Sequence, residues 1–510
     1  MRRPLPMQCQ DPRAAPLLQF TEVSRTPGKP SSGADARAPD PNDITRGSVG
    51  RHLVRLAVPS ALTNLLSFST TFIDVIWLGR VSPSAIAAVA TFNYFWFMLA
   101  LLNQMIGQGS VPLIARSYGA GRFGECRRVF GQTFSFKVIV ASVVAVLGLC
   151  FMRLAFSLFG AKDEVLDQAL IYGGIMFIAT PIMFSTFTLK TGFRAIGDMR
   201  TLLRVSAITA VLNFILDPIL IFEQVYIGPF PALGIAEPLL TFPGAGMGIA
   251  GAAWGTAIAF SVVFIQSMYY FLTGRTFLTM RLRYFFQPSL DTARRIVSIG
   301  MPPALGNAAR HFGELFVGAA INSFGTTVFA GQGVNQMLMR GVRMAVMGIN
   351  ISSMTMVGQN LGALERRRAV RSAYMALLVT AGLLVAAGGL LYWGAPAVAR
   401  LFVPGTDAES LATAEWATRI LRINCFVLLS FGLVQVARSP FEGSGDTKPS
   451  FYVIAATTWG IQVPLTALGV YVWRLEDPSF IWWVEAGAYG LGFLALLLLI
   501  RRGRWAHKEV

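Results

Sequence analysis

The chain has 510 residues, of which 54% are hydrophobic and 14% charged, whereas an average soluble domain is about 25% charged. This composition excludes an ordinary soluble fold and predicts a polytopic membrane protein, because apolar runs of about 17 to 25 residues, long enough to cross a bilayer, recur along the chain. The net charge of +17 comes almost wholly from arginine in short clusters between these runs. We therefore interpret the charge as a signal of membrane topology and expect no nucleic-acid partner.

The two ends of the chain carry little apolar sequence. Residues 1–45 are rich in Pro, Arg, Ser and Gly and contain no apolar region of the length found in signal peptides. We predict a disordered cytosolic tail over 1–45 and a short cytosolic tail over 506–510. The four cysteines are far apart and form no CxxC pair, which argues against a disulfide scaffold or a structural zinc site.

Apolar runs separated by charged or turn-rich breaks predict twelve transmembrane helices, and hence an all-α polytopic membrane protein. In chain order the predicted spans are 53–79, 86–117, 129–152, 168–190, 202–223, 247–273, 296–322, 328–361, 372–399, 415–437, 450–473 and 480–500. With the N-terminus inside, 33 Lys and Arg fall on the cytosolic side, Lys137, Lys190 and Arg194 among them, and 5 on the other. Because cytosolic loops carry the basic excess, both termini are predicted to lie inside. We expect a multi-pass, monomeric membrane protein.

The two halves of the chain repeat one another. Residues 59–121 align without a gap on residues 302–364 at a constant offset of 243. Six helices per half is an even number, so both halves enter the membrane from the same side, as in transporters built from parallel repeats. The predicted domains are an N-lobe over 46–280 with helices 1–6 and a C-lobe over 281–505 with helices 7–12.

Carboxylic acids inside the predicted helices are the first functional candidates, because a charge in hydrocarbon costs about 2.5 to 3.5 kcal/mol on insertion scales. Asp74 in helix 1 lies six residues before Arg80, and Asp217 in helix 5 lies six residues before Glu223. At a rise of about 1.5 Å per residue, both acids are about 9 Å from the same outer side. Their side chains are therefore predicted to be able to meet.

Further oxygen ligands are predicted near this acid pair. Asn213 precedes Asp217 by one turn on the same helix face, and Thr256 lies in the outer half of helix 6. Pro218 cannot donate to the carbonyl of Phe214, which predicts a free backbone oxygen nearby. Such oxygens suit a hard cation, and two adjacent carboxylates also bind a proton. The residues leave open a sodium site, a proton site, or helix packing without an ion.

A second group of ionisable residues lies in the predicted C-lobe. Glu314 in helix 7 follows Arg310 by one turn, so the two either form a structural pair or contribute to a secondary ion or substrate site. Arg340 and Arg343 lie within predicted helix 8, where they either face an aqueous cavity or mark a misplaced helix boundary.

Several segments of the chain resemble the multidrug and toxic compound extrusion (MATE) family. They are FIDVIWLG and AIAAVA in helices 1 and 2, LIARSYGAG with its echo MVGQNLGA, FRAIGD, LNFILDPILIF and GIAGAAWGT. The resemblance covers nearly all of residues 51–501 and is most similar to the prokaryotic DinF-like branch. It implies a twelve-helix exporter with two six-helix lobes around a V-shaped cavity, which exchanges sodium or protons for small amphipathic, often cationic drugs.

The resemblance also implies a set of site residues. In the DinF-like branch the N-lobe cation site takes an aspartate from helix 1, an asparagine and an aspartate from helix 5 and a threonine from helix 6. The matching residues here are Asp74, Asn213, Asp217 and Thr256. Other branches carry acids on helices 7 and 10, but Glu314 is about one turn from the expected register and the core of helix 10 has none. The link between helices 5 and 6, residues 224–246, is longer than usual.

Three functional classes remain open. The first is a secondary active antiporter for small amphipathic compounds. The alternative is a flippase for a lipid-linked cell-envelope precursor, which would use a wide basic cavity with residues such as Arg340 and Arg343. The third is a channel or membrane enzyme, for which the sequence offers neither a filter-like loop nor a pairing of nucleophile and base. We predict a transporter in the lipid bilayer with no enzymatic activity, and with no cofactor besides its coupling ion.

Overall fold

The computed structural model describes residues 43–227, 240–276 and 278–508. This part of the chain contains twelve long helices, each of which overlaps one predicted span with ends that differ by at most seven residues. They are α1 (Val49–Gly79), α2 (Pro83–Gly119), α3 (Phe123–Leu158), α4 (Asp163–Ala195), α5 (Met199–Ile221), α6 (Ile249–Leu272), α7 (Leu290–Asn322), α8 (Thr326–Gly362), α9 (Arg366–Phe402), α10 (Ala408–Ala437), α11 (Lys448–Val472) and α12 (Ser479–Arg502). The all-α fold class is confirmed.

Local sequence signals explain several helix starts. Side chains of Ser48, Ser82, Asp198, Ser289 and Asp407 each accept a hydrogen bond from a backbone N–H of the first helical turn that follows. Such caps satisfy amide groups that have no partner inside the helix. These five helices, α1, α2, α5, α7 and α10, therefore start three to seven residues before the predicted apolar spans.

Ten of the long membrane-crossing helices are apolar enough to span a bilayer by length and composition. The two remaining long helices, α7 and α8, carry charged residues away from their ends, among them Arg310, Glu314, Arg340 and Arg343. Helix α11 contains two π-helical turns, Thr458–Gln462 and Leu468–Val472. The charge in α7 and α8 is a sign that these helices face polar space inside the protein rather than lipid.

The link between α5 and α6 is a β-hairpin that returns over the end of α5. Its strands β1 (Gln224–Ile227) and β2 (Leu240–Pro243) pair antiparallel, and Gln224 faces Pro243. After β2, the backbone N–H groups of residues 245–248 donate to the carbonyl oxygens of residues 219–222, which are the last three residues of α5 and the residue that follows it. These carbonyls have no partner within the helix, so the hairpin return caps α5 along its whole last turn.

The two six-helix lobes, α1–α6 and α7–α12, pack together mainly through α1 against α8 and α2 against α7 and α8. The contact is close because glycines face backbone: a Cβ at Gly109 would overlap the Ile296 backbone, and a Cβ at Gly119 would overlap that of Gln359. Gln359 also donates to the Ala195 carbonyl at 2.8 Å. We call this end of the bundle, where the C-terminal ends of α2, α4 and α8 meet, the closed end.

Both ends of the described chain lie at the closed end. Arg116 near the end of α2 donates to the carbonyl of Lys508 at 2.7 Å. Arg368 at the start of α9 donates to the carbonyls of Ile44 at 3.0 Å and Gly47 at 2.6 Å. Most of the N-terminal tail predicted over 1–45, and the last two residues of the C-terminal tail, lie outside the described residues.

Candidate functional site

Three of the four residues predicted for the N-lobe site form one hydrogen-bonded group. Asp217 on α5 is fully buried, with 0% of its surface exposed, and Asn213 one turn earlier is buried beside it. The amide Nδ2 of Asn213 donates to Oδ1 of Asp217 at 3.2 Å and to Oγ1 of Thr256 on α6 at 3.3 Å. The amide thus bridges two helices and fixes the orientation of the carboxyl group.

The fourth residue, Asp74, meets this group from α1. Its carboxyl group lies within hydrogen-bonding reach of the Asp217 carboxyl group. Oδ1 of Asp74 and Oδ2 of Asp217 are buried and have no donor partner. Two ionised carboxylates in contact repel each other in a low-dielectric site, so the pair requires a proton or a cation. We call Asp74, Asn213, Asp217 and Thr256 the carboxyl cluster.

Two glycines on α6 face α5 at the carboxyl cluster. Gly255 on α6 faces Asp217, and a Cβ there would overlap Oδ1 of that carboxyl group. One turn earlier, Gly251 faces the backbone of Leu220 so closely that a side chain would not fit. Tyr172 on α4 is buried near both carboxyl groups. The glycines therefore let α6 approach α5, which brings Thr256 within reach of Asn213.

In the C-lobe, Glu314 forms the predicted pair with Arg310, at 2.5 Å. It also contacts Nδ1 of His311 at 3.2 Å and Nη1 of Arg343 on α8 at 3.4 Å. The acid is thus surrounded by basic groups and is compensated as an ion pair, unlike the carboxyl cluster. Glu485 on α12 is buried within electrostatic range of the same arginines.

Sequence reasoning missed Glu485, although the rule that selected Asp74 applies to it. Glu485 is an isolated acid in the apolar run FIWWVEAGAYG. That pattern alone would have identified it as a candidate. It also missed the buried pair of Arg438 and Glu442 at 2.9 Å, which lies on the short helix that extends α10. These residues belong to charge networks in which acids and bases balance.

A cavity of about 830 Å³ lies between the lobes. Arg340 and Arg343 line it, as one of the two predictions for them had it, and Phe68, Trp96 and Phe187 give it an aromatic wall. Its charged lining residues are Lys137, Arg194, Arg310, Arg340, Arg343 and Arg438 against Glu314, Glu442 and Glu485. The cavity is therefore net basic. None of the four residues of the carboxyl cluster lines it, but Phe68 and Thr71 do, and they lie one to two turns before Asp74 on α1.

The match to a protein family falls on both lobes. A family model described as MatE matches residues 59–219 and 302–468, so it covers most of each six-helix repeat. The chain belongs to the MatE family. It is accordingly a membrane transporter and not an enzyme, and the suspected resemblance is confirmed.

Relatives of this MatE protein span nearly its whole length. It is 26% identical over 462 residues to the probable multidrug resistance protein YoeA of Bacillus subtilis, a match that covers 89% of this chain and 93% of that one. It is 23% identical over 437 residues to a FAD transporter of Shewanella oneidensis, covering 85% and 91%.

The two-lobed fold is shared with solved structures. One is a MOP superfamily transporter from Pyrococcus furiosus, described as having a binding pocket of reverse polarity, which superposes with a TM-score of 0.80 at 20% identity. The match covers 93% of this chain and 100% of that one. The predicted arrangement of twelve helices in two lobes is thereby confirmed for the MatE protein.

Proposed function

We propose that this transporter is a secondary active antiporter that exports small amphipathic compounds in exchange for sodium ions or protons. The observation that carries the proposal is the contact between the carboxyl groups of Asp74 and Asp217, held by Asn213 and Thr256. Two buried acids in contact bind one positive charge, and carboxylate, amide and hydroxyl oxygens are suitable ligands for either a proton or a sodium ion.

Helix α1 provides a physical connection between ion and substrate. Asp74 on α1 is drawn to Asp217 when a cation neutralises both, and released when the site is empty and the two charges repel. The same helix carries Ser67, Phe68 and Thr71 in the cavity wall and packs against α8 of the other lobe. The free energy of ion binding therefore differs between positions of α1. Such a difference is what couples ion binding to the substrate cavity.

Membership of the MatE family does not determine the charge of the substrate. The two relatives named above are called a multidrug resistance protein and a FAD transporter, and FAD is an anion, so cationic drugs are only one of the classes to consider. The flippase alternative is not favoured, because the matching family is MatE and neither relative is named for a lipid. We propose the bacterial inner membrane as location, with both termini inside, and a monomer as the working form.

The test measures ion binding apart from substrate. Purified protein is titrated with ²²Na⁺ at several pH values, and proton release is recorded in parallel. Asp74→Asn and Asp217→Asn should each abolish saturable binding of the ion while the protein remains folded, because an amide keeps the shape but not the charge. Asp291→Asn is the control, since Asp291 is exposed and paired with Arg295 at 3.2 Å.

The second part of the test measures exchange. Protein in liposomes should accumulate an amphipathic dye when a sodium or proton gradient is imposed, and the two Asn variants should not. Dye uptake that is indifferent to both gradients would refute antiport. Wild-type ion binding in both Asn variants would refute the carboxyl cluster as the site.

A further inference from the structure

Three basic residues of the N-lobe lie together without an acid. Lys137 on α3 is 1% exposed and Lys190 on α4 is 7% exposed. Arg194 follows Lys190 by one turn, and its charge acts on both lysines. Lys137 and Arg194 line the cavity between the lobes. We call these three residues the basic cluster.

The basic cluster has no counter-charge in the part of the chain that the structure describes. No Asp or Glu oxygen lies within 4.0 Å of its nitrogens, and Nε of Arg194 is buried with no hydrogen-bond partner. Lys190 instead lies over the Phe260 ring at 5.5 Å. By contrast, Arg310 and Arg438 in the same cavity are each paired with a glutamate. Three neighbouring buried cations are unfavourable unless an anion joins them.

The space beside the basic cluster is open to a ligand. Gly107 on α2 faces it: a Cβ there would lie 4.0 Å from Nζ of Lys137 and 3.7 Å from Oγ1 of Thr191, at ordinary contact distance. Gln108 lines the same cavity and has a buried side-chain oxygen without a partner. The glycine thus leaves room for a group that contacts the lysine.

We propose that the basic cluster binds the anionic group, a carboxylate or phosphate, of a transported substrate with a flat apolar body. Arginine and lysine together are suited to such oxygens. The flat body is inferred from the aromatic wall of the cavity, since aromatic rings prefer to contact one another in stacked or edge-on geometry. The inference rests on the proposed transport function and replaces the expectation of a cationic substrate.

The basic cluster is separate from the ion site. Lys190 lies eighteen residues after Tyr172 on α4, which is about 27 Å along a helix that rises 1.5 Å per residue. Substrate anion and coupling cation therefore bind at opposite ends of the N-lobe, without competing for the same ligands.

The test compares two dyes with the same xanthene skeleton and opposite charge, the anion fluorescein and the cation rhodamine 6G. Fluorescence polarisation with purified protein in detergent should show fluorescein binding at least tenfold more tightly. Lys137→Gln and Arg194→Gln should each weaken fluorescein binding at least tenfold, whereas Lys137→Arg should retain it. Arg340→Gln is the matched control, because Arg340 lines the same cavity from the other lobe, and it should weaken binding less than threefold.

Stability and transport provide independent measurements. Removing an unpaired buried charge should leave the melting temperature of both Gln variants unchanged or higher, and a structural role would lower it. Liposomes should transport fluorescein and lose this transport in the same variants. Tighter binding of rhodamine 6G, or equal losses in Arg340→Gln, would overturn the proposal.

Two further outcomes separate this inference from its alternatives. Displacement of fluorescein by phosphatidylglycerol in nanodiscs, with no fluorescein transport, would assign the cluster to a lipid headgroup and overturn the proposal. If Asp217→Asn abolishes ion binding but the basic cluster binds no fluorescein, this inference fails and the antiport function stands. If fluorescein binds as expected but Asp217→Asn keeps its ion, antiport fails at the carboxyl cluster and the anion site stands.

Discussion

Adding one methyl group at Gly255 displaces Asp217 without changing the charge of the carboxyl cluster. Ordinary contacts begin at 3.4 Å, so the overlap forces Oδ1 of Asp217 to move by about an ångström or α6 to move away. A shift of Oδ1 lengthens the 3.2 Å hydrogen bond from Asn213 to Asp217, and a shift of α6 lengthens the 3.3 Å bond from Asn213 to Thr256. Both bonds are already at the end of the useful range of about 3.2 Å for N–H···O, so one of them is lost in either case. The loss of that bond costs about 1 kcal/mol, and cation ligation tolerates errors of only about 0.2 Å.

These terms together predict that Gly255→Ala weakens ion binding at least tenfold, the equivalent of about 1.4 kcal/mol. Stability should change little: overpacking costs about 1 to 3 kcal/mol, and replacing glycine by alanine in a helix returns about 1 kcal/mol. The control is Gly389→Ala on α9, where an added Cβ meets no atom within 4 Å, so ion binding should be normal. The assay is ²²Na⁺ or proton titration with a thermal melt on the same preparation. Wild-type ion affinity in Gly255→Ala would refute the argument that ion binding depends on the position of the Asp217 carboxyl group.

Three further variants test other parts of the structure. Glu314→Gln should lower the melting temperature by a few degrees, because it leaves Arg310 and Arg343 without their acid, yet keep ion titration normal; loss of ion binding in this variant alone would move the ion site to the C-lobe. Pro218→Ala should leave the melting temperature unchanged or higher, since a helix hydrogen bond is restored, but weaken ion binding; normal ion binding would limit Pro218 to packing. Arg368→Gln removes three donors to backbone carbonyls and should speed protease cleavage before α1, measured by limited proteolysis; cleavage at the wild-type rate would show that this contact does not hold the segment.

The twelve helices and the meeting of Asp74 with Asp217 were predictable from sequence, because both depend on length and on depth counted in residues. The same counting did not predict the basic cluster. Lys137 and Lys190 were included among basic residues of the inner side, whereas the structure buries both within α3 and α4 and places Lys137 at the cavity. A basic residue near a helix end has the same sequence pattern whether it contacts lipid headgroups or a cavity. Only the packing of neighbouring helices distinguishes the two.

The course of the hairpin was also beyond prediction. The extra length between α5 and α6 was visible, but nothing in residues 224–246 indicates that the backbone after β2 returns to the carbonyls of α5. These are main-chain contacts, so they depend on path and not on residue type. The pairing of Glu314 with Arg310 was predictable because it needs only one helical turn, whereas the contribution of Arg343 required the packing of α7 against α8.

The closed end has a consequence for how easily the lobes can part. Its tightest contacts join glycine to backbone, at Gly109, Gly119 and Gly362. Its hydrogen bonds include those from Thr355 and Gln359 to carbonyls of α4. When such contacts separate, the glycines have no side chain to withdraw, and water can replace each polar partner. Interdigitated leucine side chains would instead have to separate and repack in every transport cycle. At these contacts the closed end can therefore open and close repeatedly without any side chain having to return to its packed position.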